Sequence, residues 1–83
     1  MPTKEEVFGR VREIITENLG VAPDKVTLET RFREDLEADS LDLAELIMDF
    51  EDKFEVGDIS EDDATKIESV GDAVEYIFNE LSK

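Results

Sequence analysis

The sequence contains neither cysteine nor histidine. Without cysteine, the chain can form no disulfide, has no thiolate for a metal and offers no protein thiol as a nucleophile. Without histidine, the usual catalytic triads and the common zinc sites are excluded. We therefore expect that the chain is not an enzyme and has no metal site.

Long hydrophobic runs are also absent. No segment approaches the roughly 20 apolar residues that a membrane-spanning helix needs, and the N-terminus lacks the apolar core of a signal peptide. We expect a cytoplasmic protein with no membrane span. The 83 residues should form one domain, 1–83, which is near the lower size at which a single core supports a fold.

The net charge of −15 is distributed unevenly. Residues 1–33 hold six acids and six bases, whereas residues 34–83 hold eighteen acids against three lysines. Such a field repels nucleic acid and acidic membranes, and it speeds encounters with basic protein surfaces. Solubility alone can account for acidic charge, but its concentration after one serine, Ser40, favours a docking surface.

An amphipathic helix is predicted from about residue 40 to residue 54, capped by Asp39 or Ser40. The apolar residues on its buried stripe are Leu43, Leu46, Ile47, Phe50 and Phe54, which follow helical spacing. The acids on a second, outward stripe are Asp42, Glu45, Asp49 and Asp52. At roughly 100° per residue, Leu41 and Met48 fall beside these acids, away from the core. This combination indicates a docking surface.

Three further helices are predicted. The first has a Thr3–Glu6 capping box, ends at Gly20 and buries Val7, Phe8, Val11, Ile14, Ile15 and Leu19. Ser60 with Asp63 caps a short helix that ends at about Ile67. Ser69 with Asp72 caps the last helix, whose buried residues are Val70, Ala73, Val74, Ile77, Phe78 and Leu81.

Residues 21–39 are predicted to form a long loop with one short helical turn after Pro23. The apolar residues available to hold this loop are Val26, Leu28, Phe32 and Leu36. No strand pattern or internal repeat accompanies the helices. The predicted fold class is therefore all-α: a small four-helix bundle of three longer helices and a short third helix, with a long loop between helices 1 and 2.

A specific set of residues runs through most of the chain: Leu19-Gly20-Val21, Val26-Thr27, Phe32, Asp35-Leu36, Ala38-Asp39-Ser40-Leu41-Asp42, Glu45-Leu46, Met48, Phe54, Lys66-Ile67, Val70 and Tyr76-Ile77. Asp-Ser-Leu alone is a weak motif. At the start of an acidic second helix in a cysteine-free helical domain, it is highly specific. The chain resembles the acyl carrier protein family of fatty acid synthesis.

The resemblance implies that Ser40 is joined through a phosphodiester to phosphopantetheine, whose thiol carries the growing acyl chain as a thioester between enzymes. The position also suits a phosphate on physical grounds, because a helix N-terminus offers free amides and a partial positive charge. An ordinary N-cap serine is the alternative explanation for Ser40. The implied partners are a phosphopantetheinyl transferase and fatty acid synthesis enzymes with basic patches, which meet a monomeric carrier.

The resemblance also implies two groups of contact residues. Those that dock on partner enzymes are Asp39, Leu41, Asp42, Glu45, Met48, Asp49, Glu51 and Asp52. Those at positions that shelter the acyl chain are Phe32, Phe50, Ile59, Ala64, Ile67, Ala73 and Tyr76. The pattern of the second group is equally that of an ordinary core.

Departures from the family pattern keep other functions open. Glu37 replaces a usual glycine before Ser40, and the segment with Gly57 is one residue longer. A specialised carrier for lipid A or polyketide synthesis is one alternative. An acidic helical interaction or divalent-ion module is another, although the crowded acids of residues 58–63 lack the EF-hand spacing. A nucleic-acid mimic would explain the charge but not its position after Ser40.

Overall fold

The computed structural model describes residues 3–82, so the ends of the predicted domain 1–83 lie outside it. Its helices are α1 (Lys4–Leu19), α2 (Ser40–Phe54), α3 (Glu61–Lys66) and α4 (Val70–Leu81), with one 3-10 turn at Pro23–Lys25. The predicted all-α class, with a short third helix and a long loop between α1 and α2, is confirmed. None of the helices within residues 3–82 has the length and apolarity that a membrane crossing requires.

The ends of α1 follow from its capping residues. Thr3 Oγ1 accepts a hydrogen bond from the Glu6 N–H at 3.2 Å, which is one half of the predicted capping box. Gly20 takes a left-handed conformation with φ of 69° and donates its N–H to the Thr16 carbonyl. Because glycine adopts positive φ at little cost, it ends the helix at this point.

The core forms where α1 packs against both α2 and α4. Its fully buried members include Val11 and Ile15 of α1, Phe50 of α2 and Ile77 of α4. The predicted stripe of α2 is wrong at Ile47, which is half-buried and lies outside the core cluster. The five predicted residues span about 100° of the helix surface, and Ile47 is at one margin of that arc.

Backbone hydrogen bonds attach the long loop to the start of α4. The N–H groups of Val70 and Gly71 donate to the carbonyls of Thr30 and Leu28, each at 2.8 Å. The Phe32 N–H donates in return to the Glu68 carbonyl at 3.1 Å. Since the first N–H groups of a helix have no partner within it, the loop carbonyls complete the α4 terminus and α4 fixes the path of the loop.

The side chains of the loop contribute unequally to this attachment. Val26 and Phe32 are buried in the core, as predicted, and Leu36 is half-buried. The prediction that the Leu28 side chain holds the loop is wrong, because that side chain is 51% exposed. Leu28 acts instead through its carbonyl, which a pattern of apolar residues cannot indicate.

The close approach of the loop to α4 predicts opposite effects for two glycine-to-alanine substitutions. A Cβ at Gly71 would lie 2.8 Å from the Leu28 oxygen, whereas a Cβ at Gly9 would have no atom within 4 Å. In urea denaturation, we expect Gly71→Ala to lower the free energy of unfolding by about 1–3 kcal/mol. Gly9→Ala should raise it by about 0.5–1 kcal/mol, through helix propensity. Stabilisation by both would contradict this packing.

Candidate attachment and docking site

The start of α2 leaves the Ser40 hydroxyl available. Asp39 is the N-cap: its Oδ1 accepts from the Asp42 N–H at 2.9 Å, and Asp42 Oδ2 accepts from the Asp39 N–H at 3.3 Å. This reciprocal box excludes the alternative in which Ser40 caps the helix. Ser40 is the first residue of α2 and is exposed, so its Oγ is open to approach from solvent.

One basic side chain lies beside this hydroxyl. Arg33 Nη2 donates to Ser40 Oγ at 3.3 Å across a separation of seven residues. Sequence reasoning missed Arg33, because the contact depends on how the chain turns back between the two residues. Ser40 thus lies beside both the Arg33 guanidinium and the α2 N-terminus, and both favour an anionic group there.

In the turn before Ser40, the backbone of Glu37 takes a conformation that glycine usually occupies. Glu37 has φ of 55°, in the left-handed region, where a residue with a Cβ is strained by roughly 1–2 kcal/mol. The next residue, Ala38, is buried and donates its N–H to the Phe32 carbonyl at 2.9 Å. The burial of Ala38 and this hydrogen bond hold the turn in place, so the backbone path to Asp39 and Ser40 accommodates Glu37.

Four of the six acids in the predicted docking surface have roles within the fold. Asp39 and Asp42 form the α2 capping box. Asp49 Oδ2 accepts from the Asn18 side-chain amide on α1 at 2.7 Å. Glu51 Oε2 accepts from the Ile59 N–H at 2.6 Å, which ties α2 to the segment before α3.

The other two acids, Glu45 and Asp52, are exposed and form no hydrogen bond or ion pair within residues 3–82. Leu41 and Met48 are 67% and 65% exposed, which confirms the prediction that they point away from the core. The outer face of α2 therefore carries two apolar side chains next to two unpaired carboxylates. An exposed carboxylate with no internal partner is free to meet a basic side chain of another protein.

A cavity of about 250 Å³ opens between the loop and α3, next to the residue that contacts Ser40. It is lined by Arg31, Phe32, Arg33, Glu34, Ala64, Thr65, Ile67 and Glu68. Only three of the seven predicted acyl-pocket residues, Phe32, Ala64 and Ile67, line it. The others that are fully buried, Phe50 and Ala73, belong to the core. Ile59 and Tyr76 are half-buried outside the cavity lining.

Tyr76 connects the last two helices. Its hydroxyl donates to Asp63 Oδ2 of α3 at 3.3 Å, and its ring packs against the core. Burial, followed by the negative charge of Asp63, raises the pKa of Tyr76 from 10.0 to about 12. Both effects disfavour the phenolate, so the contact requires the neutral form.

The crowded acids of residues 58–63 do not converge. Within residues 3–82, no group of three acidic side chains is arranged to hold a metal ion. Asp63 instead accepts from Tyr76, and its backbone N–H donates to Ser60 Oγ at 3.1 Å, the cap predicted for α3. Of the acids in this segment, Asp63 thus contributes to the start of α3 and to its contact with α4.

Known proteins resemble this chain over most of its length. The family described as the phosphopantetheine attachment site matches residues 9–77. An acyl carrier protein of Lactobacillus johnsonii is 47% identical over 75 residues, which cover 90% of this chain and 92% of that protein. The structure is similar to that of an acyl carrier protein from Enterococcus faecalis noted for high thermal stability. The TM-score is 0.78 at 40% identity, over 95% of this chain and 99% of the other.

The Tyr76 contact predicts a pH dependence at the alkaline end. Because the folded protein keeps the phenolic proton up to a pKa of about 12, against 10.0 ordinarily, stability from this group is complete below pH 10 and is lost as pH rises towards 12. Tyr76 is the single tyrosine, so tyrosinate absorbance measures its titration directly. We expect a midpoint near 12 in the native protein and near 10 in urea, and a smaller alkaline loss of stability in Tyr76→Phe. Equal midpoints in the two states would contradict the burial argument.

Proposed function

This chain belongs to the acyl carrier protein family, and we propose that it carries acyl chains for fatty acid synthesis on a phosphopantetheine group attached to Ser40. Members of this family are carriers rather than catalysts. Phosphopantetheine supplies a terminal thiol that bears the acyl group, and this chain has no cysteine to provide one. The protein's own task is to present a hydroxyl for attachment, shelter the cargo and dock on enzymes.

The observation that carries the assignment is that Ser40 presents an exposed hydroxyl at a helix start that is not used as a helix cap. Ser60 and Ser69 accept from the N–H groups of Asp63 and Asp72 as helix caps. The Ser82 hydroxyl donates to the Phe78 carbonyl. Ser40 alone among the four serines is exposed with a side chain that serves neither as a cap nor as a donor to the backbone.

Intact-mass measurement tests the assignment to Ser40. After incubation with coenzyme A, Mg²⁺ and a phosphopantetheinyl transferase, we expect the protein to gain the mass of one phosphopantetheine group. Ser40→Ala should gain none, because the accepting oxygen is removed. Ser60→Ala, which loses only the cap of a short helix, should gain the full mass. An unmodified wild-type protein, under conditions that modify a known carrier, would contradict the proposal.

We further propose that partner enzymes bind the outer face of α2 through Glu45, Asp52, Leu41 and Met48. Each exposed ion pair contributes at most about 1 kcal/mol, so such docking is weak, rapid and sensitive to salt. A shuttle needs this, since a tightly bound carrier would stall on one enzyme. Asp39, Asp42, Asp49 and Glu51 add to the negative field, while one carboxylate oxygen of each accepts a hydrogen bond within the fold.

The acyl shelter is proposed for the cavity between the loop and α3. Phe32, Ala64 and Ile67 supply its apolar wall, and Arg33 links its rim to Ser40. The helix on one side of it, α3, has no buried residue. An alkyl chain that enters there would therefore displace little packed side-chain volume.

Charge reversal on α2 tests the docking surface. Glu45→Lys and Asp52→Lys should each raise the KM of the transferase for this carrier by about 3–10-fold at low salt, because an exposed ion pair of up to about 1 kcal/mol is replaced by repulsion. The free energy of unfolding should not fall. Asp24→Lys is the matched control, since it changes the net charge equally outside α2. Equal KM values for all three variants would show that only net charge matters.

A further inference from the structure

Arg33 is placed to bind the group that Ser40 would carry. We propose that the Arg33 guanidinium pairs with the phosphodiester that joins phosphopantetheine to Ser40, an inference that rests on the proposed function of Ser40. Arg33 Nη2 already donates to Ser40 Oγ at 3.3 Å. That oxygen becomes one of the ester oxygens, so the phosphorus is bonded directly to the atom that Arg33 contacts. The planar guanidinium fork matches the geometry of phosphate oxygens.

The surrounding charge explains why a cation is needed at this point. Attachment adds one negative charge to a short segment that already contains Glu34, Asp35, Glu37, Asp39 and Asp42. Like charges at such separations oppose the addition. In the part of the chain that the structure describes, Arg33 is the only basic residue that forms a hydrogen bond with the Ser40 side chain.

The other three arginines are engaged elsewhere. Arg10 donates to the Lys53 carbonyl at 2.9 Å and lies over the Phe54 ring. Arg12 lies over the ring of Phe8.

Arg31 pairs with Glu34 at 3.1 Å. In contrast, Arg33 forms no ion pair with a carboxylate within residues 3–82. Its guanidinium is therefore not engaged by a carboxylate before attachment, and a phosphodiester on Ser40 would supply a direct anionic partner.

Nuclear magnetic resonance of the full chain, with and without the attached group, tests this pairing. In ¹⁵N-labelled protein at low salt, we expect the Nε–Hε signal of Arg33 to move on attachment, while those of Arg10, Arg12 and Arg31 stay in place. Added salt should move the Arg33 signal back, because screening weakens an exposed pair. These four signals form an internal comparison, since the chain has only four arginines.

The ³¹P signal of the phosphodiester provides the reciprocal measurement. Arg33→Gln should shift it towards that of free phosphopantetheine esters, and Arg33→Lys should shift it less. Arg31→Gln is the matched control, because it removes the same charge from the same loop without touching Ser40, and it should leave the signal unchanged. An attached group confirmed by mass, together with an unmoved Arg33 signal and an unchanged ³¹P shift in Arg33→Gln, would overturn the pairing alone. Failure of attachment at Ser40 would overturn the proposed function as well.

Discussion

The contact between the loop and the start of α4 determines where Ser40 lies. The first N–H groups of α4 need partners that the helix cannot supply, and the carbonyls of Leu28 and Thr30 supply them. The Phe32 N–H then donates to the Glu68 carbonyl, and the Phe32 carbonyl accepts from the Ala38 N–H. A continuous series of backbone hydrogen bonds thus leads from α4 to the residue before the α2 cap. Ser40 is therefore positioned by α4 as well as by α2, the helix that it begins.

The acids of α2 and its cap fall into two groups, according to whether a side-chain oxygen has a hydrogen-bond partner within the fold. Asp39, Asp42, Asp49 and Glu51 each accept a hydrogen bond that holds a helix start, a helix pair or a loop. Glu45 and Asp52 contribute nothing comparable to the fold and add repulsion along the helix, which costs a few tenths of a kcal/mol per like-charged pair. The absence of a role in the fold supports the proposal that they contact basic surfaces of partner enzymes.

The sequence predicts those parts of the fold that depend on local patterns. Helical spacing and capping residues place all four helices, and the exposure of Leu41 and Met48 follows from the same periodicity. The features that the sequence does not predict depend on the path of the loop between α1 and α2. The exposure of the Leu28 side chain, the close approach at Gly71 and the contact between Arg33 and Ser40 arise only after the loop is attached to α4. The extent of the cavity is likewise a property of two separated segments, so only three of its eight lining residues were anticipated.

The weak anchoring of α3 affects the size of the acyl chain that the proposed cavity could hold. Its six residues include none that is buried, and a helix this short is unstable by itself, since isolated helices need roughly 12–15 residues. Two side chains from other helices hold it in place. Glu51 accepts from the Ile59 N–H just before α3, and Tyr76 donates to Asp63 within α3. We therefore expect local opening of α3 to cost less free energy than global unfolding, and its amide protons to exchange with solvent sooner than the buried amides of α1, α2 and α4. In the acyl cavity that we propose, α3 would be a movable wall, and longer acyl chains would be accommodated by displacing α3 while the packed faces of α1, α2 and α4 stay intact.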